Sequence, residues 1–257
     1  MAACEFDRLF SSSVPHVYEK IFFSLDYNSF IKCLRVCRSW NDLLTSPSFQ
    51  RIGKSTFCYA IYEELRKAIK NGQTQVVKGI PSNGMVDIDY NTERERTPLY
   101  LAAWYAQSSI VQILLNAGAD PNKKAKEWPM ATPLVIATEY GHLNVVKMLL
   151  DGGALPNIEI SYGFTCLHLA VREEHNDVLK LLLEKGANPN AATAMKKGQY
   201  PGCTPLHIAA RKGNKDGVRC LLQSGANPNM VDQDGLTPLN WAIQRGHMDI
   251  ANLLTNI

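Results

Sequence analysis

Apolar residues along most of the chain fall into paired helical stripes. In one pair, Leu206 and Ala209 lie on one face of a short helix, and Val218 and Leu221 share a face of the helix that follows. Gly213 separates the two stripes and can take the left-handed conformation that ends a helix. Neither helix can bury its apolar face alone. The pattern therefore predicts helix-turn-helix units that stack on one another.

A four-residue phrase marks the start of each unit. Thr-Pro-Leu-His opens at Thr204, and related phrases open at Thr97, Thr132, Thr165 and Thr237. The spacings between successive openings are 35, 33, 39 and 33 residues. A threonine hydroxyl caps a helix N-terminus, and proline suits the first helical position because its missing N–H costs nothing there. A period near 33 indicates a repeat architecture.

A sixth unit without the Thr-Pro opening precedes Thr97. Ala68 and Gly72 are separated by four residues, as are Ala209 and Gly213, and Val76, Val77 and Ile80 supply the apolar face of its second helix. Terminal repeats are often atypical in this way. The stack is therefore expected to contain about six units.

These units resemble the ankyrin repeat, whose hallmark is the Thr-Pro-Leu-His-x-Ala phrase followed by Leu-Leu and Gly-Ala. The resemblance implies an all-α solenoid with hairpin loops between units. Local departures are Cys166 for proline, Tyr100, Val135 and Asn240 for histidine, and Ala106 and Glu174 for the glycine between helices. Each departure is expected to weaken a cap or a turn by about 1 kcal/mol and to leave the fold unchanged.

The N-terminal segment has a different pattern. Apolar residues at 14, 17, 21, 22 and 25 have helical spacing, and a second stripe runs through Phe30, Ile31, Leu34 and Cys37. About 40 residues in two or three short helices are too few to bury a good core without a partner or a staple. This segment is therefore expected either to dock on another protein or to cap the stack.

This segment resembles the F-box on three groups of residues: Val14-Pro15, Ile21-Phe22 with Leu25, and Val36-Cys37-Arg38-Ser39-Trp40. The resemblance implies binding to a Skp-family adaptor and, through it, to the cullin scaffold of a ubiquitin ligase. The residues expected to bind the adaptor are Val14, Pro15, Val17, Ile21, Phe22, Leu25, Leu34, Val36, Cys37 and Trp40. The alternative role is a helical cap for the N-terminal end of the stack.

The predicted organisation is an all-α chain with a small helical domain followed by a solenoid. Residues 1–13 are interpreted as a flexible tail, 14–52 as the F-box, 53–62 as a connector and 63–257 as about six ankyrin repeats, the first of them atypical. Six extra residues lie before Thr204, within 194–202. They form either part of a binding face or a tolerated loop extension.

The composition narrows the classes of function and the cellular compartments but does not identify a function. The net charge of the 257 residues is +3, which does not argue for nucleic acid. The seven cysteines are scattered without a CxxC pair, so reduced thiols in the cytoplasm and/or the nucleus are expected. No apolar leader follows the start, and the charge-free stretch 99–119 coincides with a whole repeat, which favours a repeat over a membrane span.

The sequence offers little for catalysis. It contains no phosphate-binding loop, no metal-ligand spacing and no nucleophile–base pair, so no catalytic residue, metal site or cofactor is expected and the chain is interpreted as a non-enzyme. The resemblance assigns His168 and His207 to hydrogen bonds between neighbouring loops.

The resemblance implies that function lies on a concave groove. Its lining would comprise the residues after each Ala-Ala position and the hairpin tips, namely Arg94, Arg96, Trp104, Tyr105, Trp128, Glu139, Tyr140, Tyr162, Phe164, Arg172, Tyr200, Arg211, Lys212 and Arg245. The first half of such a groove is aromatic and the second half basic. Tyrosine, tryptophan and arginine dominate binding hot spots. The alternative is that Trp128 and Phe164 pack between loops and that the charges are merely solvated.

These features favour a target-recognition subunit of a Skp–cullin–F-box ubiquitin ligase with an unknown target protein. A plain ankyrin scaffold that bridges partners without ubiquitin is the main alternative. A nucleic-acid-associated regulator is a weaker third reading, because the net charge is modest. A basic half-groove would suit an acidic or phosphorylated segment.

Overall fold

The computed structural model describes residues 62–63, 65–78, 87–89, 96–125, 131–194 and 200–256. The chain divides into two compact units, Met1–Lys67 and Ala68–Ile257, and the second contains nearly all of the described residues. The predictions for the tail, the F-box segment and most of the connector fall on residues outside the described part.

Six helix pairs make up the described part of the chain. The first pair is formed by residues 65–70, which are helical, and α1. The helices are α1 Thr74–Lys78, α2 Pro98–Trp104, α3 Ser108–Asn116, α4 Pro133–Glu139, α5 Leu143–Asp151, α6 Cys166–Arg172, α7 Asn176–Glu184, α8 Pro205–Lys212, α9 Lys215–Gln223, α10 Pro238–Arg245 and α11 Met248–Thr255. The six units predicted from the 33-residue period are thus confirmed.

The helices form two layers. The first helices of successive pairs, α2, α4, α6, α8 and α10, pack side by side in one row, and the second helices, α1, α3, α5, α7, α9 and α11, pack in another. The core lies between the rows, where fully buried side chains include Leu99, Leu134, Leu167 and Leu206. Among the described helices, none is both long and apolar enough to span a bilayer.

Threonine and proline start the first helices as the sequence predicts. Thr97, Thr132, Thr204 and Thr237 are extended N-caps, each followed by proline at the first helical position. The Thr97 hydroxyl accepts the Tyr100 N–H at 3.1 Å. These contacts satisfy backbone donors that the first helical turn cannot pair internally.

The turn between the two helices of a unit needs a left-handed residue. Gly141 and Gly213 have φ values of 70° and 80° there. Ala106 and Glu174 take the same place with φ values of 54° and 61°. The replacement of glycine therefore changes the backbone energy of the turn and not its geometry.

Two rows of polar side chains join neighbouring units. The Asn157 amide donates to the Gly186 carbonyl at 3.1 Å, and its oxygen accepts the Asn188 N–H at 2.7 Å. Asn122 and Asn190 make the equivalent pairs of bonds one unit earlier and one unit later. The side chain of each asparagine thus bonds to the next unit in the chain.

The second row consists of histidines at the start of the second helices of the pairs. Their Nε2 atoms donate to the carbonyl at the end of the previous unit's first helix, at 3.1–3.2 Å, in the pairs His142–Trp104, His175–Glu139 and His247–Arg211. In the unit between those of His175 and His247, Asn214 holds this place and donates to the Asn176 side-chain oxygen at 2.8 Å. These bonds fix how each unit stacks on its neighbour.

The last described unit leaves an apolar side chain open. Ile243 in α10 is 52% exposed. The residues at the same place in the other units, Ala103, Thr138, Val171 and Ala210, are all buried. The difference arises because no further unit covers α10 within the described residues.

Candidate interaction surface

The ends of the first helices form a continuous row of side chains. We call this row the inner surface and define it as Trp104–Tyr105, Glu139–Tyr140, Arg172–Glu173, Arg211–Lys212 and Gln244–Arg245. All ten residues are exposed or partly exposed. Because the helices that carry them pack side by side, residues at the same place in successive units become neighbours in space.

An aromatic cluster occupies the first part of the inner surface. The rings of Trp104 and Tyr140 lie 6.0 Å apart with an interplanar angle of 24°, and those of Trp104 and Tyr105 lie 6.5 Å apart at 29°. The Arg96 guanidinium lies 4.4 Å from the Trp104 ring centroid. Tyr105 and Tyr140 remain 38% and 49% exposed. The cluster therefore offers near-parallel rings to a partner.

Charged side chains in the middle of the surface are paired with one another. Arg172 lies 2.5 Å from the Glu173 carboxylate and 3.9 Å from that of Glu139. Burial raises the pKa of Glu139, while the nearby Arg172 opposes that rise. One arginine and two glutamates give this middle section a formal charge of −1, and all three side chains are engaged with one another.

Arg211 in the last part of the surface lies against two aromatic rings. Its guanidinium carbon is 4.8 Å from the Tyr200 centroid and 4.9 Å from the Trp241 centroid. The Trp241 ring is itself held, because its Nε1–H donates to the buried Asp232 carboxylate at 2.7 Å. Cation–π contacts of this kind restrict an arginine side chain to one region of the surface.

Phe164 and Tyr200 differ from the exposed groove residues that the sequence predicts. They are only 8% and 6% exposed. The Phe164 ring packs 5.0 Å from His168 and 6.2 Å from Tyr200, as the alternative interpretation of Phe164 has it. Each of these aromatics lies at the end of a hairpin loop, just before the next helix begins. Burial of a ring is favourable there. Both rings lie beneath an arginine, since Arg172 is 5.6 Å from the Phe164 centroid.

Tyr162 is displayed at a hairpin tip. It is 70% exposed and has a φ of 60°, which is rare for a residue with a side chain. Its carbonyl accepts the Ala194 N–H from the next hairpin at 2.7 Å. The neighbouring loop thus fixes the backbone, and the ring stays accessible.

Trp241 and Asp232 lie beneath this surface and hold Arg211 in place, but they are missing from the residues predicted from the sequence. One signal was available, because Trp241 stands where the other units have an aliphatic residue, namely Leu101, Ile136, Leu169 and Ile208. The pairing with Asp232 depends on the fold of the intervening hairpin, in which Asp232 Oδ1 also accepts the N–H groups of Asp234 and Leu236 at 2.9 Å.

Twelve predicted site residues lie outside the described part of the chain, and the structure gives no placement for them. They are the ten adaptor-binding residues Val14, Pro15, Val17, Ile21, Phe22, Leu25, Leu34, Val36, Cys37 and Trp40, together with Arg94 and Trp128.

The buried histidines bond between loops, as the resemblance implies. His168 Nδ1 accepts the Thr165 N–H at 3.1 Å, which leaves Nε2 to donate to the Cys203 carbonyl at 3.1 Å. His207 makes the same two bonds with Thr204 and Leu236. Burial lowers the pKa of His168 to about 4, so this imidazole is neutral near pH 7.

The buried thiols are poor nucleophiles. Burial raises the pKa of Cys166 to about 12, and burial likewise raises that of Cys203 to about 12. Both sulfurs are therefore protonated near pH 7, and only the thiolate is strongly nucleophilic. Within the described residues, no group of three or more His, Cys, Asp or Glu side chains is arranged to hold a metal ion. The accessible chemistry of the surface is that of aromatic rings and charges.

Stacked helix pairs joined by hairpin loops define an α-solenoid, a class of repeat protein that binds partners on its extended surface. The family model for ankyrin repeats (3 copies) matches residues 63–125, 129–193 and 191–257, and each match is about two periods long. The model for the F-box domain matches residues 14–52. The chain therefore belongs to the ankyrin-repeat family and carries an F-box before its repeats. Among curated proteins, no sequence matches this chain.

Both families are non-catalytic interaction modules. F-box domains bind Skp-type adaptors, and ankyrin repeats bind target proteins. The combination therefore supports a protein-interaction role.

Proposed function

We propose that this chain is the substrate-recognition subunit of a Skp–cullin–F-box ubiquitin ligase. The observation that supports it best is the presence of the two modules on one chain, with the F-box match at residues 14–52 and the ankyrin matches from residue 63 onward. The F-box would hold the Skp-family adaptor and thereby the cullin scaffold. The repeats would hold the target.

The mechanism follows from proximity rather than from chemistry by this chain. A protein that holds both the ligase and a target raises the effective concentration of target lysines near the ubiquitin-carrying enzyme, to about millimolar for short flexible connections. Such tethering converts a bimolecular encounter into an intramolecular one. The chain itself would act as a non-enzyme without a cofactor.

The inner surface is the proposed target site. The predicted residues that are accessible on this surface are Trp104, Tyr105, Glu139, Tyr140, Arg172, Arg211, Lys212 and Arg245, with Arg96 beside Trp104 and Tyr162 at its hairpin tip. Aromatic and arginine side chains of this kind contribute most of the binding energy at protein interfaces. Phe164, Tyr200 and Trp241 would act beneath them as supports for Arg172 and Arg211.

Co-purification with the adaptor tests the proposal. The full chain should co-elute with a Skp-family adaptor as a stoichiometric complex in size-exclusion chromatography. The double variant Pro15→Ala/Trp40→Ala should lose the adaptor and keep the thermal unfolding transition of the repeats. As a matched control, Trp104→Ala/Tyr140→Ala changes the inner surface and should retain the adaptor.

Two outcomes would contradict the proposal. One is that the unaltered chain fails to bind the adaptor, and the other is that the Pro15→Ala/Trp40→Ala variant binds it as well as the unaltered chain does. An N-terminal segment that is stably folded and inert toward the adaptor would instead favour the alternative, an ankyrin scaffold that bridges partners without ubiquitin.

A further inference from the structure

The inner surface changes character from one end to the other. Its first two pairs contribute three aromatic residues, its middle pair is Arg172–Glu173, and its last two pairs contribute Arg211, Lys212 and Arg245. The middle charges are engaged with one another, as the distances from Arg172 to Glu139 and Glu173 show. A partner therefore meets an aromatic end and a basic end, and the charges of the section between them are paired with one another.

The basic end has charge available for a partner. Lys212 lies 3.7 Å from Glu174, but both side chains are exposed, and such surface pairs are weak and easily exchanged. Arg245 is exposed, and within the described residues no carboxylate lies in ion-pair distance of it. The buried Asp232 carboxylate is already occupied by Trp241 and by backbone N–H groups. Asp234 is the exposed acid on the adjoining hairpin.

The aromatic end suits apolar side chains. Tyr105 and Tyr140 present exposed rings, and the Trp104 ring lies nearly parallel to both within 6.5 Å. Exposed aromatic rings contact proline and aliphatic side chains favourably, and extended peptides present such side chains to aromatic-lined grooves. The Arg96 guanidinium already lies 4.4 Å from the Trp104 ring, which disfavours a cationic side chain at this end.

We propose that the target binds as an extended segment that carries proline or aliphatic residues at one end and Asp or Glu residues at the other. The apolar end lies on Trp104, Tyr105 and Tyr140, and the acidic end lies on Lys212 and Arg245 beside Arg211. This inference rests on the proposed function of the inner surface as the target site.

The spacing of the units sets the length of the segment. Tyr140 and Lys212 are separated by two steps of the stack, and packed helices lie about 8–10 Å apart, which gives roughly 16–20 Å. An extended chain covers about 3.3 Å per residue, so roughly five or six residues separate the two contacts. The outermost members, Tyr105 and Arg245, are four steps apart and correspond to about ten to twelve residues.

A random peptide library displayed on phage and selected against the full chain tests this inference. The enriched sequences should contain an apolar cluster and an acidic cluster separated by about five to twelve residues. A selected peptide, labelled for fluorescence anisotropy, should bind about tenfold more weakly when its acidic residues are moved next to the apolar cluster without a change in composition. Its affinity should also fall as salt is raised.

Matched variants of the chain locate the two ends. Lys212→Glu/Arg245→Glu should weaken the selected peptide about tenfold. Lys147 and Lys180 are exposed on the second helices α5 and α7 and are not part of the inner surface. Lys147→Glu/Lys180→Glu makes the same charge change there and should alter the affinity less than twofold. Tyr105→Ser/Tyr140→Ser should also weaken the peptide, and replacement of its acidic residues by Ser should then cost the same further factor as in the unaltered chain.

The outcomes separate this inference from the proposed function. A library that yields no binder, a motif without acidic residues, or equal affinities for the Lys212→Glu/Arg245→Glu and control variants would overturn the inference. If the chain still binds the adaptor in that case, the proposed function stands. If the acidic motif is selected but the adaptor does not bind, the proposed function falls and the inference about the surface holds.

Discussion

At the scale of the residue, Ala106 shows what an imperfect repeat costs. It occupies the turn between α2 and α3 with a φ of 54°, where Gly141 and Gly213 stand in other units. A residue with a side chain pays about 1–2 kcal/mol for this conformation, and glycine avoids that cost. The fold accepts the cost at Ala106 and again at Glu174, because the packing on both sides determines the turn.

Replacement of Ala106 by glycine should therefore stabilise the protein. After the greater entropy of glycine in the unfolded chain is subtracted, we expect the free energy of unfolding to rise by about 0.5–1 kcal/mol. Urea denaturation of the full chain, followed by circular dichroism, measures the change.

Gly213→Ala is the matched control, because it makes the reverse change in an equivalent turn. It should destabilise the protein by more, since the new Cβ would also lie 2.7 Å from the His247 Cε1 atom. An Ala106→Gly variant that is less stable than the unaltered chain would show that backbone strain is absent from this turn.

At the scale of the element, the hairpin loops carry the connection between units. The Asn190 amide donates to the Gly225 carbonyl at 3.1 Å, and its oxygen accepts the Asn227 N–H at 2.7 Å. A single side chain thus satisfies two backbone groups of the next loop. Because both partners are backbone atoms, the contact depends on the loop's shape and hardly on the side chains of the next unit.

Asn190→Ala should destabilise the stack by about 1–2 kcal/mol, because two hydrogen bonds to the next unit are lost. The matched control is Asn229→Ala. Asn229 holds the same place in the last described hairpin loop, before α10, and no such bond to a further loop is seen in the described residues, so this change should stay within about 0.5 kcal/mol. Equal effects in chemical denaturation would contradict an inter-unit role for Asn190.

Sequence reasoning was strongest for elements governed by local rules. The Thr–Pro starts and the alternation of short helices depend on residues within a few positions, so the helix pairs could be predicted and are confirmed. Contacts between residues far apart in the sequence could not be predicted in this way. The burial of Phe164 and Tyr200 depends on how each hairpin folds back, and the Arg172–Glu139 contact joins residues 33 positions apart. A repeat pattern specifies which residues lie at equivalent places but not which rings and charges fill the space between them.

At the scale of the whole molecule, the buried imidazoles make stability depend on pH. Burial lowers the pKa of His168 to about 4 and also lowers that of His207. The unfolded chain takes up these protons at a higher pH than the folded chain does. The contribution of these two histidines to the free energy of unfolding is therefore fully present above about pH 6.5 and is lost as the pH falls toward 4.

His168 alone should account for about 3 kcal/mol of this loss between pH 7 and pH 4. Equilibrium denaturation measured across that range checks the value. His168→Asn is the informative variant, because Asn240 shows that asparagine can accept the cap bond, from Thr237 N–H at 2.9 Å. This variant should be less stable at pH 7 and should show a flatter pH profile; an unchanged profile would assign the pH dependence to other groups.

The asparagine row also has a mechanical consequence. The side chain of each asparagine links one unit to the next, so each unit is stabilised by its direct neighbours. The end units can therefore unfold while the central units stay folded. A segment that reached from Tyr105 to Arg245 would connect units that the asparagine bonds do not join directly. Such a ligand would couple the end units to each other. The bound repeats should therefore unfold in one cooperative transition, whereas the free repeats unfold from their ends.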